Sequence, residues 1–274
     1  MLTKLDLQLL LQIYLGKSKI SDLIAENRKK SVIYNKLKNL KKLGLINLNR
    51  SNLQLNQDDL ALFLNYIRKY PNLINLLQGN NLSLFLLFKN PKTFLELTYL
   101  SGLSEPTISK FLKSAKKIGL IRQKDKYLIY NSNVWLDFYF VCQRFRDYVA
   151  IKEWNLPIDS KVYFVSNRKI VFSSIEDTNY KLTAYALWEK SIGTLTNYYT
   201  NEVDLNRDVI IILNSEDDYY LRFYALIYFY IKKISLSKMY LHNIIKSILN
   251  GQKVNNWPTK KAILEKVKEF DFKF

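Results

Sequence analysis

The chain has one cysteine, Cys142, and one histidine, His242, among its 274 residues. A disulfide scaffold needs paired cysteines, while zinc fingers and histidine-based metal centres need several such ligands. The sequence therefore excludes these three classes. Hydrophobic residues make up 48% of the chain, which argues against disorder. A length of 274 residues is enough for two or three domains with real cores.

Long hydrophobic runs are also missing. The most apolar stretch, 221–231, contains Arg222, and it is too short to cross a bilayer, which takes about 20 apolar residues in a helix. The segment 1–14 is typical of an amphipathic helix rather than a signal peptide, because Lys4, Asp6 and Gln8 interrupt the apolar positions. These patterns predict no membrane association, and the single cysteine predicts a reducing, cytoplasmic location.

Catalytic motifs are absent from the sequence: it has no phosphate-binding loop, G-x-G-x-x-G or nucleophile elbow. The acids at 216–218 are a candidate metal site, but Ser215 as N-cap with acids in the following helical turn is the more economical interpretation. Asp204 and Asp208 do not have the D-x-D spacing of a nucleotidyltransferase. His242 lies among apolar residues of a predicted helix, which favours a packed or surface histidine over a catalytic one. We therefore expect no enzyme activity, no cofactor and no metal.

A strongly basic stretch occupies positions 28–46, RKKSVIYNKLKNLKKLGLI. Its apolar residues recur at steps of four and three, which predicts a helix with one buried stripe; they are Ile33, Leu37, Leu40, Leu43 and Ile46. Seven of the other residues are basic, and no acidic residue occurs from Asn27 to Gln57. Such a helix repels itself, so the pattern favours an anionic partner.

The same pattern returns further along the chain at positions 103–121, LSEPTISKFLKSAKKIGLI. Leu37 then aligns with Leu112, Lys41-Lys42 with Lys116-Lys117, and LGLI at 43–46 with IGLI at 118–121. The alignment continues into two short alternating segments, 47–55 and 122–130, each of which predicts a hairpin. A duplication that keeps core, glycine and charge indicates a repeated module.

Each copy resembles a winged helix-turn-helix DNA-binding domain, with a recognition helix ending in K-x-x-G-L-I and followed by a two-stranded wing. The second copy is the closer match, because Ser104 is placed as an N-cap and Pro106 is tolerated in the first turn. The first copy has Lys29 where the second has Ser104. Tandem modules of this kind also resemble archaeal winged-helix initiator proteins.

The resemblance implies that first-turn side chains of the recognition helices read base edges, while lysines and wing residues hold phosphates. In the first copy the candidate readers are Lys30, Ser31, Tyr34, Asn35 and Lys38. In the second copy they are Glu105, Thr107, Ser109, Lys110 and Lys113. The candidate phosphate contacts are Lys41, Lys42, Arg50, Lys116, Lys117, Arg122, Lys124 and Lys126.

The predicted fold class is mostly α with small β wings: two winged helix-turn-helix domains followed by an α+β C-terminal domain. The expected boundaries are 1–57 for the first module, 58–80 for a linker helix, 81–131 for the second module, 132–154 for another helix and 155–274 for the α+β domain. Of the net charge of +18, positions 1–154 carry +14 (25 basic and 11 acidic residues) and 155–274 carry +4 (17 and 13). The basic excess thus follows the duplicated half.

The helix predicted at 131–150 has an aromatic face formed by Trp135, Phe138, Cys142, Phe145 and Val149. It is either a connecting helix packed within the chain or a homodimer helix at 133–150. Beyond it, a hairpin is predicted at 161–174 and a helix at Tyr180–Lys190. Strands are predicted at Leu195–Thr200 and Val209–Leu213, and helices at 216–233, 237–250 and 258–270.

The predicted partner is double-stranded DNA, and its binding would associate the protein with the nucleoid. Two biological roles remain open: transcription regulation and recognition of a replication origin. A third alternative is a winged-helix protein-interaction module whose basic faces meet acidic partners. Affinity for DNA that is retained in moderate salt would favour the first two roles, and its absence would favour the protein-interaction module.

Overall fold

The computed structural model describes residues 1–24, 29–49, 52–56, 58–130, 132–183, 186, 197–204, 207–215, 218–231 and 240–269. Within these residues the chain is mostly helical, with small antiparallel sheets. No helix in the described ranges has the length and apolar character needed to cross a membrane.

Internal contacts divide the chain into two units. The first holds Met1–Leu86, Ser109–Arg122 and Ile129–Ile158, and the second holds Leu87–Ile108, Gln123–Leu128 and Asp159–Phe274. The range 81–131, where the second copy of the repeat was expected, thus contributes to both units.

The first unit begins with three helices and a hairpin: α1 (Lys4–Tyr14), α2 (Ile20–Ile24), α3 (Lys30–Lys42), β1 (Ile46–Asn49) and β2 (Asn52–Leu55). A capping box starts α1, in which the Thr3 side chain accepts from the Asp6 N–H and the Asp6 carboxylate accepts from the Thr3 N–H. The hairpin is antiparallel, with Ile46 opposite Leu55. Lys19 forms an isolated bridge to Asn52, which adds a third short segment beside the hairpin.

This unit also contains the helices α4 (Asp58–Lys69), α5 (Leu73–Leu77), α6 (Asn81–Leu86) and, later in the chain, α9 (Asn133–Trp154), together with the segment Ser109–Arg122. Pro71 follows α4, as expected for a residue that cannot continue a helix. Aromatic rings join α4 to α9: the centroids of Phe63 and Phe145 are 4.2 Å apart and those of Tyr66 and Phe138 are 4.8 Å apart.

The aromatic face predicted on the 131–150 helix is buried within the chain. All five of its side chains are at most 7% exposed. Phe138 contacts Phe85 of α6 as well as α4, and Trp135 contacts Tyr70. This packing corresponds to the connecting-helix interpretation, because the face invoked for a homodimer already has intramolecular partners.

The second copy of the repeat contains a 3-10 turn at Leu87–Lys89, α7 (Phe94–Ser101), α8 (Glu105–Lys117) and a two-stranded sheet of β3 (Ile121–Gln123) and β4 (Tyr127–Ile129). Thr93 and Glu96 form a capping box at the start of α7. Gly102 ends this helix in the left-handed conformation, with φ of 64°. Lys92 bridges to Tyr127 through two backbone hydrogen bonds of 2.8 Å.

The C-terminal region contains a four-stranded antiparallel sheet in the order β5-β6-β8-β7: β5 (Lys161–Val165), β6 (Ile170–Ser173), β7 (Lys181–Leu182) and β8 (Tyr198–Thr200). Among the described residues, four helices follow the sheet: α10 (Arg207–Ser215), α11 (Tyr219–Ile231), α12 (Tyr240–Leu249) and α13 (Lys260–Glu269). Helix α10 packs on β5 and β6 and also contacts α7. The predicted hairpin at 161–174 is confirmed.

Two secondary-structure predictions for the C-terminal region are wrong. Val209–Leu213 is part of helix α10 and not a strand, because every residue from Asp208 to Asn214 is buried and no polar face reveals the helical period. Lys181–Leu182 is a strand paired with β8, where a helix at Tyr180–Lys190 was expected. Positions 184, 185 and 187–196 lie outside the described residues.

Ser215 is not the N-cap that the sequence predicted. It is the last residue of α10, and its hydroxyl donates to the Ile211 carbonyl at 3.2 Å. The Asp218 carboxylate takes the capping role instead, accepting from the Leu221 N–H at 2.7 Å. Glu216, Asp217 and the His242 side chain lie outside the part of the chain that the structure describes.

The α4–α9 packing generates a stability prediction. Phe63 is 0% exposed and contacts two rings of α9, so Phe63→Ala should lower the free energy of unfolding by about 3–5 kcal/mol. The neighbouring Leu62 is 47% exposed, and Leu62→Ala should change the same quantity by less than about 1 kcal/mol. Chemical denaturation measures both values. Equal losses in the two variants would contradict this account of the packing.

Candidate nucleic-acid interface

Helix α3 separates apolar and basic side chains onto opposite sides. Ile33, Leu37 and Leu40 are each at most 1% exposed. The predicted contacts of this helix are all exposed: Lys30, Ser31, Tyr34, Asn35, Lys38, Lys41 and Lys42. Since the helix contains no acidic residue, its solvent side carries only positive charges among neutral side chains.

The start of α3 differs from the usual capped helix. Lys29 occupies the N-cap position with φ of −57° and ψ of 123°, and its side chain forms no capping hydrogen bond. The Lys30 ammonium lies 5.8 Å from the centroid of the Tyr34 ring, within cation–π range. Two of the predicted readers therefore contact each other on the exposed side of the first turn.

Lys36 does not belong to the exposed basic surface. Its ammonium lies 3.1 Å from Asp6 Oδ2 and donates to Thr3 Oγ1 at 3.1 Å. The Asp6 side chain is 2% exposed, so this ion pair compensates the burial of a carboxylate. Lys36 thus fastens α3 to the start of α1. The equivalent residue of the second copy, Phe111, is 2% exposed and apolar.

Helix α8 has the same division of side chains. Ile108, Phe111, Leu112 and Ala115 are buried. The predicted contacts are all exposed: Glu105, Thr107, Ser109, Lys110, Lys113, Lys116 and Lys117. Ser104 lies at the helix start, with its carbonyl accepting from the Ile108 N–H at 3.1 Å. The Ser104 and Thr107 hydroxyl oxygens are 2.9 Å apart, which orders one predicted reader.

Both helices end in the same way. Gly44 and Gly119 each have φ of 70°. The N–H of the following leucine donates over 3.0 Å to a carbonyl of the last turn, Leu45 to Leu40 and Leu120 to Ala115, as in a Schellman motif. A side chain at position 44 would also collide with Tyr148, whose hydroxyl would be 2.5 Å from a Cβ there. The glycine of K-x-x-G-L-I is therefore needed by the backbone in both copies.

The segment after α8 supplies further cations. Arg122 is exposed and lies 4.1 Å from the centroid of the Tyr130 ring, which holds the guanidinium at the surface. Lys124 is exposed and Lys126 is half-buried. Arg50, the predicted phosphate contact of the first hairpin, lies outside the described residues.

Several charged residues of structural importance were missed by the sequence interpretation. Lys92 is 4% exposed, and burial lowers the pKa of its ammonium to about 8, with Glu96 opposing and Lys126 reinforcing the shift. Lys169 lies 2.7 Å from Asp208 Oδ1, and Asp208 is 0% exposed. Burial raises the pKa of the Asp208 carboxyl, while the hydrogen bond from Lys169 acts in the opposite direction. No local pattern signals this pair, because Lys169 and Asp208 are far apart in the sequence.

Comparisons of the chain with protein-family models, curated proteins and solved structures give no match.

The two roles assigned to lysines of α3 generate a prediction. Lys36→Met should lower the free energy of unfolding by about 1–3 kcal/mol, because the buried Asp6 carboxylate loses a charged donor. Lys38→Met, two positions further along the same helix, removes an exposed charge and should change the free energy of unfolding by less than about 0.5 kcal/mol. Thermal or chemical unfolding of both variants provides the measurement. The Lys36–Asp6 assignment is wrong if the two variants are equally stable.

Proposed function

We propose that the chain is a non-enzymatic, sequence-specific double-stranded DNA-binding protein that acts as a transcription regulator. In this proposal, the two copies are winged helix-turn-helix modules, with α3 and α8 as recognition helices. The observation that carries the proposal is the repeated helix that buries one apolar stripe and exposes a lysine-rich opposite side.

The order of elements supports the winged-helix interpretation of the first copy. Helix α2 contacts α3, α3 contacts β1, and α1 contacts β2, so three helices and the hairpin form one packed module. The bridge from Lys19 to Asn52 in the first copy has a counterpart from Lys92 to Tyr127 in the second. Asn52 and Tyr127 also align with each other when the two copies of the repeat are superposed in sequence.

Electrostatics assigns different tasks to the exposed residues. Lysines such as Lys41 and Lys116, in the last turns of the two helices, would neutralise phosphates of any sequence. Asn35 and Ser109 have short polar side chains nearer the helix starts, and such groups donate to and accept from base edges in the major groove. The lysines would supply affinity, and the polar readers would supply sequence preference.

The proposal predicts a steep salt dependence of DNA affinity. If about 6–10 phosphates are neutralised, log K plotted against log salt concentration should have a slope of about −5 to −9. Lys41→Ala and Lys116→Ala should each make the slope shallower by about 0.9. Lys181→Ala, which removes an exposed lysine of β7, is the charge-matched control and should leave the slope unchanged. Fluorescence anisotropy with a random-sequence duplex measures these values.

The same titration distinguishes phosphate contacts from base readers. Asn35→Ala and Ser109→Ala should keep the salt slope but reduce the preference for a duplex selected by the protein over random duplex, by about 1–3 kcal/mol per base contact. A wild-type slope shallower than about −2 would contradict the proposal. It would favour the alternative in which the basic faces meet acidic proteins.

A further inference from the structure

Helix α10 of the C-terminal region is held at both ends by the beginning of the second copy of the repeat. At its C-terminal end, the Lys89 ammonium donates to the Ser215 carbonyl, and the Asn90 side-chain amide donates to the Asn214 carbonyl at 3.4 Å. A cation at this position is favourable because the helix dipole is negative at its C-terminus. At the other end, Arg207 Nη2 donates to the Leu100 carbonyl at 3.0 Å.

Arg207 itself is fixed by a chain of interactions. Its backbone N–H donates to Asp204 Oδ1 at 3.1 Å, and the Asp204 N–H donates to Asp208 Oδ2 at 3.0 Å. Asp208 in turn pairs with Lys169 at 2.7 Å. The Arg207 guanidinium also lies 5.3 Å from the centroid of the Phe164 ring of β5. Backbone and side chain of Arg207 are thus both anchored to the C-terminal region.

The far end of this arginine lies against the turn that leads into α8. Leu100 is in the last turn of α7, and Gly102 follows that helix. A Cβ at Gly102 would be 2.9 Å from Arg207 Nη2, so glycine is what allows the guanidinium to approach the turn. Ser101 stiffens the same segment, since its hydroxyl donates to the Leu97 carbonyl and accepts from the Leu103 N–H.

We propose that Arg207 is a positioning residue for the second recognition helix, through which the C-terminal region fixes the turn at Gly102–Ser104. Two of the predicted readers, Glu105 and Thr107, follow this turn directly, so its geometry sets where they point. The structural part of the inference stands on the contacts above; its consequence for DNA binding rests on the proposed function. The C-terminal region then contributes to sequence preference without touching a base.

The test uses the full chain with Arg207→Met, which keeps the apolar stem over Phe164 but removes the donors. Backbone amide exchange at positions 102–105 should become about tenfold faster, the fold-change expected when a hydrogen bond from a charged donor is lost. Arg207→Lys, which retains a cationic donor, should restore part of the protection. Exchange of Val162 and Phe172 in the sheet should be unchanged in both variants, which shows that the domain remains folded.

Arg222→Met is the matched control, because Arg222 also donates to a carbonyl, that of Asn256, and lies over an aromatic ring, that of Trp257. It should leave exchange at 102–105 unchanged. In the binding arm, Arg207→Met should weaken binding to a duplex selected by the wild type about tenfold and change binding to random duplex less than twofold, whereas Arg222→Met should change neither.

The two arms fail separately. Unchanged exchange at 102–105 in Arg207→Met, or equal acceleration in Arg222→Met, overturns the positioning role whatever the DNA result. If the wild-type chain does not bind duplex DNA, the proposed function fails while the exchange arm still decides the structural role. Faster exchange with unaltered preference for the selected duplex overturns the consequence for DNA reading.

Discussion

Both proposed reading surfaces depend on the burial of apolar side chains, which holds each helix in place against the repulsion between its lysines. In α3, Lys38 stands three and four positions before Lys41 and Lys42, and each such like-charge pair costs about 0.2–0.5 kcal/mol. Burying Ile33, Leu37 and Leu40 stabilises the helix by about 1.5–3 kcal/mol per side chain. The free energy gained by burying these side chains is several times the cost of the lysine–lysine repulsion. The helix can therefore keep a single sign of charge on its solvent side.

The basic elements of the duplicated half were predictable because their apolar residues alternate with exposed charges. The sequence predicted a helix within the basic stretch 28–46 and another within its repeat at 103–121, and the structure has Lys30–Lys42 and Glu105–Lys117. Each buries only one side, so the helical period of about 3.6 is visible in the sequence. The glycine that ends each helix was equally visible.

Prediction failed where an element is buried all round or where a charge is used inside the fold. Helix α10 has an unbroken apolar core at Val209–Leu213, and in the sequence this run is indistinguishable from a buried strand. Lys36, Lys92 and Lys169 are lysines that a sequence suggests are solvated, but each has a structural role in the fold. Arg207 was also missed, because the carbonyl to which it donates, that of Leu100, is distant in the sequence.

The contacts between the C-terminal region and the beginning of the second copy of the repeat lie within the second unit. Its sheet and α10 anchor Arg207 against the turn that precedes α8, the second of the two proposed readers. The other proposed reader, α3, has a different anchor, the Lys36–Asp6 pair at the start of α1. The exposed residues of the two helices also differ, with Tyr34 and Asn35 aligning with Ser109 and Lys110. If the proposed function holds, two unlike readers in one chain would bind a site without dyad symmetry.

Hydroxyl-radical footprinting of the full chain, on a duplex that it selects from a random pool, tests this central claim most directly. The account predicts two protected segments of unlike sequence. A variant with Lys38→Ala, Lys41→Ala and Lys42→Ala should lose protection of one segment and keep the other. A single segment that disappears entirely in this variant, or no protected segment at all, would contradict the claim that both helices read DNA.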